Sequence, residues 1–296
     1  MGKFNGMLLI SDYDNTFQYT ESALSGGGAE AVPPPPARNL AEAVPPPPAR
    51  NLAAAERWIS EGGQFAIATG RSLGAFRQHA ERIPINAPVI VDNGGGIYDL
   101  AGKRYLVRKL LPDCALEDMM GLEGAFPGTS MELYLSDERI HALHPTQRNV
   151  QHALLTGMPF LEIGALNRET IPVPLAKVLF MAEMATLQKL RAYMADHGWE
   201  EKYEMIFSSD HLMELTAKGA DKGAMARELK RLTECHTLIC IGDHANDLPM
   251  LQAADRAFAP ANAIEAVRGA DGVTVVCHCL EGAVADVVDC LEQAGT

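Results

Sequence analysis

Two aspartates stand two residues apart in Ser11-Asp12-Tyr13-Asp14-Asn15-Thr16, and two more stand four apart in Gly242-Asp243-His244-Ala245-Asn246-Asp247. Between these segments lie Thr69-Gly70-Arg71 and Asp221-Lys222-Gly223. Carboxylates that converge repel one another unless a cation joins them. Oxygen-only ligands suit a hard cation, and Mg²⁺ takes a few carboxylates plus waters and phosphate oxygens. A carboxylate can also attack phosphorus and form an aspartyl-phosphate. A second carboxylate two residues on could protonate the leaving oxygen, then take a proton from the attacking water. A metal and a lysine would neutralise the group in transfer. The Thr69 hydroxyl and nearby backbone N–H groups could hold phosphate oxygens.

Such residues must be brought to one place by the elements that carry them. Met7 to Ile10, Phe65 to Ala68, Pro88 to Val91 and Leu238 to Ile241 are short apolar runs bounded by turn residues, with further runs at Phe258 and Val273 to Val276. Runs of this kind are expected of strands buried on both faces. Helical patterns fall between them at Leu52 to Glu61, with Asn51 as its cap, and at Leu73 to Arg82, Lys222 to Thr233 and Asp247 to Ala254. Strands alternating with helices imply a doubly wound parallel α/β sheet. Ligands of such sheets bind beyond the carboxyl ends of the strands, which is where the motif residues fall. From Gly94 to Phe207 the pattern changes to strand-like pieces, Met131 to Leu135 and Lys177 to Met181, with a helical piece at Leu187 to Asp196. This reads as a second α/β unit inserted into the first. The expected division is a core of residues 1–93 and 208–296, with an α/β cap at 94–207.

Residues 29–40 and 41–52 both read AEAVPPPPARNL, preceded by Gly26 to Gly28. Four consecutive prolines favour polyproline II. A solenoid would need more units, each with an apolar face. The proline-rich insert, residues 25–50, therefore reads as an exposed loop, with a docking segment for a proline-reading partner or a lid near the site entrance as alternatives.

Taken together, the four segments resemble the haloacid dehalogenase superfamily, in particular its Cof-type phosphatases with a large α/β cap. The D-x-D-x-T motif matches Asp12, Asp14 and Thr16; the strand-ending Thr matches Thr69; the helix-opening Lys matches Lys222; and G-D-x-x-N-D matches Gly242, Asp243, Asn246 and Asp247. The turn Val91-Asp92-Asn93-Gly94 and the tail through Asn262-Ala263 also resemble the family's course. The resemblance covers the chain apart from the proline insert. It implies a Rossmann-like core with Asp12 as nucleophile and Asp14 as general acid/base. It implies Thr69 and Lys222 on the phosphoryl group, and Asn246 on substrate or phosphate, as Asn15, Gly70 and Arg71 would also be. It implies Mg²⁺ on Asp12, Asp243, Asp247 and the backbone carbonyl of Asp14. The family usually has Gly where this chain has Asn15, and Asn tolerates the left-handed conformation. Arg71 is equally well read as a structural ion-pair partner.

Bulk composition narrows the field. A formal net charge of −13 disfavours nucleic-acid binding. The six cysteines form no C-x-x-C pair, and the start of the chain lacks a signal-peptide pattern. No apolar run has membrane-spanning length. These features suggest a cytoplasmic protein with reduced thiols, and the resemblance implies that it acts on a small phosphorylated metabolite. The expected activity is hydrolysis of a sugar phosphate or similar phosphomonoester. A phosphomutase using the same aspartate is the first alternative, and a non-catalytic binding protein built around the proline arm is the second. His141 and His144 have no third metal ligand at sensible spacing. The oligomeric state is not written in the sequence.

Overall fold

The computed structural model describes residues 2–20 and 46–293. The first proline repeat and the start of the second lie outside the described residues. In chain order the elements begin with β1 (Met7–Asp12), α1 (Ala49–Ser60), β2 (Gln64–Ala68), α2 (Leu73–Ala80), β3 (Val89–Val91), β4 (Gly96–Asp99) and β5 (Arg104–Arg108). Then come α3 (Ala115–Ala125), β6 (Met131–Leu135), β7 (Ile140–Leu143), α4 (Gln147–Thr156), β8 (Leu161–Ile163), β9 (Leu175–Met181), α5 (Met184–Asp196), β10 (Tyr203–Ser209) and β11 (Leu212–Ala217). The chain finishes with α6 (Lys222–Leu232), β12 (Thr237–Ile241), α7 (Leu248–Ala253), β13 (Arg256–Pro260), α8 (Glu265–Arg268), β14 (Val273–Val276) and α9 (Ala283–Gln293).

Two compact units result. The first contains residues 2–20, 46–108 and 221–293. Its eight-stranded sheet has the order β14-β13-β12-β1-β2-β3-β4-β5. Pairing is parallel from β14 to β3, and antiparallel at β3–β4 and β4–β5. Alternate residues of each strand feed opposite cores. Leu9, Phe65, Ile67, Ile239 and Ile241 pack with α1, α2 and α9 on one face. Leu8, Ile10, Ala66, Leu238 and Cys240 pack with α6, α7 and α8 on the other. Central strands buried on both faces must be apolar throughout, which explains the continuous runs in the sequence. Each fully buried Leu or Ile stabilises the fold by roughly 1.5–3 kcal/mol before entropy is charged.

The second unit is Lys109–Ala220. Its six strands run β10-β11-β9-β6-β7-β8, antiparallel except for β7–β8. One face carries an apolar core that includes Leu116, Met119 and Leu122 of α3 and Leu187, Leu190 and Met194 of α5.

The unit boundaries differ from those expected at 93/94 and 207/208. At the first, Asn93 and Gly94 both have positive φ, and the turn folds the chain back so that Val91 pairs with Gly96. The turn therefore adds a hairpin to the first sheet, and the chain leaves only after Arg108. At the second, β10 and β11 form a hairpin whose inner strand pairs with β9, so both strands belong to the inserted unit. Among the described residues, no helix is long and apolar enough to cross a membrane.

Asn51 also departs from its expected place. The helix starts at Ala49, so Asn51 lies inside α1 and does not cap it. Its fully buried side chain donates from Nδ2 to the Phe17 carbonyl at 2.8 Å and accepts at Oδ1 from the Ala285 N–H at 3.1 Å. It thereby ties the loop after β1 and the first turn of α9 to α1. Asn51→Ala leaves two buried backbone groups unpaired, at a cost of about 1–3 kcal/mol each. Urea unfolding should show a loss within that range or above it; unchanged stability would mean that the link carries no weight.

Candidate active site

Asp12 ends β1, and its parallel neighbour β12 ends at Ile241, which pairs with Ser11. The two strand ends are therefore level, and Gly242-Asp243 emerges beside Asp12. One carboxylate oxygen from each of Asp12, Asp243 and Asp247 lies within 4.8 Å of the other two, and all three residues are buried. Lys222 Nζ donates to Asp12 Oδ1 at 2.5 Å and to Asp247 Oδ1 at 2.6 Å. Lys222 opens α6, whose first turn is capped by Asp221 Oδ1 accepting the Ala224 N–H at 2.8 Å.

Local structure fixes each member. Asp247 Oδ2 accepts the backbone N–H groups of Asp243 and His244 at 3.0 and 3.1 Å. That fold-back needs Gly242, since a Cβ there would lie 2.5 Å from the Asp247 Cβ. Thr16 donates its hydroxyl to Asp243 Oδ1 at 2.8 Å. The Gly94 turn packs against the cap of α6, where a Cβ would come within 2.4 Å of the Asp221 backbone.

The remaining sequence-expected residues divide into two groups. Thr69, fully buried, accepts the Arg71 N–H at its Oγ1 (3.0 Å), so its own O–H is free to be donated elsewhere. Asn246 Nδ2 donates to Asn93 Oδ1 at 2.9 Å, while Asn246 Oδ1 and Asn93 Nδ2 have no hydrogen-bond partner among the described residues. Gly70 lies beside them, with room for no Cβ, which would stand 2.9 Å from Asn93 Nδ2. Asp14 is placed differently. Its carboxylate is outside the three-aspartate ring and lies on Arg71, whose Nε and Nη2 donate to Oδ2 and Oδ1 at 2.8 and 2.7 Å. Asn15 sits at φ 60, its N–H donates to the Gln18 carbonyl at 2.6 Å, and its Oδ1 accepts the Thr20 N–H at 3.2 Å. The Asn15 side chain is thus engaged in the turn itself.

Sequence reading missed three contributors. His79 stands behind Arg71, Asn93 meets Asn246, and Asn262 donates to the Asn15 carbonyl at 2.8 Å while accepting the Cys279 N–H at 2.9 Å. Asn93 and Asn262 were visible as parts of motifs without assigned roles; nothing in the sequence flagged His79. His141 and His144 have separate partners, the Thr170 carbonyl and Glu123.

Three carboxylates and one lysine leave the cluster short of positive charge. Burial raises the Asp12 carboxyl well above the usual carboxylate range, against the pull of Lys222 and with help from Asp247 and Asp243. Burial and Asp247 push Asp243 up to about 7. Desolvation works against the Lys222 ammonium, yet Asp12 and Asp247 outweigh it and hold the lysine charged. At Asp14 burial also works against the charged form, but the Arg71 guanidinium prevails and keeps the carboxyl below its ordinary value. The donor set of the ring is oxygen only, compact and over-charged, and it fits a small hard divalent cation.

Comparison with known proteins places these features in context. A family model described as haloacid dehalogenase-like hydrolase matches residues 45–287. The HMP-PP phosphatase of Cronobacter sakazakii is 25% identical over 241 residues, which cover 78% of this chain and 84% of that protein. A haloacid dehalogenase-like hydrolase from Bacteroides thetaiotaomicron has a similar fold, with a TM-score of 0.74 and 22% identity over 97% of this chain and 99% of the other. The sugar phosphatase BT4131 gives a TM-score of 0.71 and 16% identity, over 97% and 98%.

The raised carboxyls make stability depend on pH. Without a cation, folded Asp12 and Asp243 hold protons to higher pH than unfolded carboxyls, which titrate near 4. The stability that Asp243 adds is complete below about pH 4 and is lost as pH rises through about 7, and the contribution of Asp12 is lost in the same direction. His79, lowered to about 4 by burial and Arg71, adds no further change above its unfolded value of about 6.5. In chelator, urea stability should fall by on the order of 1 kcal/mol between about pH 6.5 and about pH 8. Adding a divalent cation should remove the fall. A flat profile in chelator would contradict the charge imbalance.

Proposed function

Because the chain belongs to the haloacid dehalogenase-like hydrolases, we propose that it is a magnesium-dependent phosphatase that hydrolyses a small phosphomonoester through an aspartyl-phosphate on Asp12. The observation that carries this reading is the buried ring of Asp12, Asp243 and Asp247 closed by Lys222. The phosphatase names of two similar proteins support it, and one of them, a sugar phosphatase, favours a sugar phosphate as substrate.

In the proposed sequence, an Asp12 oxygen forms a bond to phosphorus as the ester P–O bond breaks. Asp14, ionised on Arg71 in the free site, takes up a proton as the anionic phosphate enters beside it and passes that proton to the leaving oxygen. Lys222, anchored on Asp12 and Asp247, balances charge on the phosphoryl oxygens. The Thr69 hydroxyl donates to one of these oxygens. Water then attacks phosphorus, Asp14 takes a water proton, and the Asp12 carboxylate is released together with inorganic phosphate. Asp12, Asp243 and Asp247, with the Asp14 backbone carbonyl, would hold Mg²⁺, which supplies neutralisation of the phosphoryl charge when bound.

Phosphate release from a panel of phosphorylated metabolites tests the proposal. Release should require Mg²⁺, stop in chelator, and fall by a factor on the order of 10⁵ in Asp12→Asn, as expected when a nucleophile is removed. Turnover by Asp12→Asn at the wild-type rate, or release that persists in chelator, would overturn it.

A further inference from the structure

We propose that Arg71 is the positioning residue for Asp14 and that His79 in turn holds Arg71. This inference rests on the phosphatase reading above and assigns Arg71 to the proton-transfer group; it takes Arg71 away from the phosphate.

The Arg71 side chain is only 11% exposed. Its Nε–Nη2 edge grips Asp14 with two hydrogen bonds, at 2.8 and 2.7 Å, the bidentate geometry that fixes a carboxylate in plane as well as in place. Nη1 lies 3.2 Å from His79 Nε2. Burial and the neighbouring guanidinium keep His79 neutral, so Nε2 can accept the Nη1–H. The guanidinium carbon also stands 5.2 Å from the centre of the Tyr13 ring. On the far side, the Thr20 hydroxyl donates to Asp14 Oδ1 at 2.7 Å. Asp14 is thus held by three donors, and the arginine is held from behind by an imidazole and an aromatic ring.

Two roles compete for an arginine just after Thr69. A phosphate-binding arginine would present its two-nitrogen edge to the phosphoryl group. Here that edge is occupied by Asp14, and Arg71 could reach a phosphate in that manner only by releasing the carboxylate. His79 is the second-last residue of α2, whose N-terminus is capped by Ser72. The helix therefore anchors the ring, the ring anchors the guanidinium, and the guanidinium anchors Asp14. The step most dependent on that chain is the second half of the reaction. There the water oxygen bonds to phosphorus, its proton passes to Asp14, and the P–O bond to Asp12 breaks with the electron pair returning to the carboxylate.

The test uses full-length protein with Mg²⁺ and p-nitrophenyl phosphate, whose phenolate leaves without a proton. Arg71→Ala should still transfer the phosphoryl group to Asp12, giving a near-stoichiometric burst of nitrophenolate. Steady turnover should then fall by about 100-fold, the lower range for loss of a positioned acid/base, and acid quenching should trap accumulated phosphoprotein. Arg71→Lys, which keeps the charge but cannot form the two-pronged grip, should behave in the same way and serves if the alanine variant does not fold. His79→Leu should reduce steady turnover in the same direction, and His79→Gln, which restores an acceptor, should recover most of that loss. Loss of the burst along with turnover in both Arg71 variants would place Arg71 on the phosphoryl group and overturn the proposal. Unchanged turnover would make the pair merely structural and overturn it equally. Wild-type protein that releases no nitrophenolate in Mg²⁺ would instead sink the underlying phosphatase reading, before any Arg71 variant is compared.

Discussion

The structure is organised around an electrostatic imbalance. Three carboxylates, Asp12, Asp243 and Asp247, are buried within 4.8 Å of one another, and Lys222 supplies a single formal positive charge to them. Burying charge is costly, and breaking one partner out of a buried pair typically costs about 3–5 kcal/mol. A fold would not keep such a cluster for stability alone, since well-packed apolar residues do as well. The imbalance has a use when the missing positive charge arrives with a ligand. A divalent cation and a phosphoryl group that meets both the cation and Lys222 would restore balance.

Much of the first unit follows from the need to hold that cluster. Parallel pairing of β1 with β12 sets two strand ends level, so Asp12 and Asp243 emerge side by side. Gly242 lets Asp247 fold back on the Asp243 and His244 amides. The Asp221 cap starts α6 so that Lys222 faces Asp12 and Asp247. The cores on both faces of the sheet, with Leu8 and Leu9 facing opposite sides, keep these ends rigid. In the proposed reaction, proton transfer falls to a separate group, Asp14 on Arg71, outside the ring. Asp12 and Asp14, the proposed nucleophile and acid/base, are two residues apart in sequence, yet their surroundings differ: burial raises one carboxyl while a guanidinium lowers the other.

What could be read from the sequence was whatever is encoded locally. Apolar runs gave the strands, and the residues just beyond them gave Asp12, Thr69 and Asp243, because a strand end fixes where the next residue points. Lys222 was readable from its place at a helix start. The contacts that finish the site join residues far apart in the chain and leave no local pattern. Arg71 and Asp14 are 57 residues apart, Asn246 and Asn93 are 153 apart, and Asn262 and Asn15 are 247 apart. Asn51 shows the same limit: it looks like a local cap after a proline run, but its partners are Phe17 and Ala285. The unit boundary was misread because Asn93-Gly94 marks a turn without saying whether the chain returns to the same sheet. Pairing with β3 decides that, and pairing is a tertiary fact.

The central claim is that phosphate passes through Asp12 and is not taken directly by water. The stereochemical course at phosphorus tests this most directly. A thiophosphate monoester made chiral with oxygen isotopes would be hydrolysed in isotopically labelled water with Mg²⁺, and the configuration of the released thiophosphate determined. Two in-line displacements, at Asp12 and then at water, predict net retention. Net inversion would mean a single displacement by water, and would contradict the account whatever the identity of the substrate.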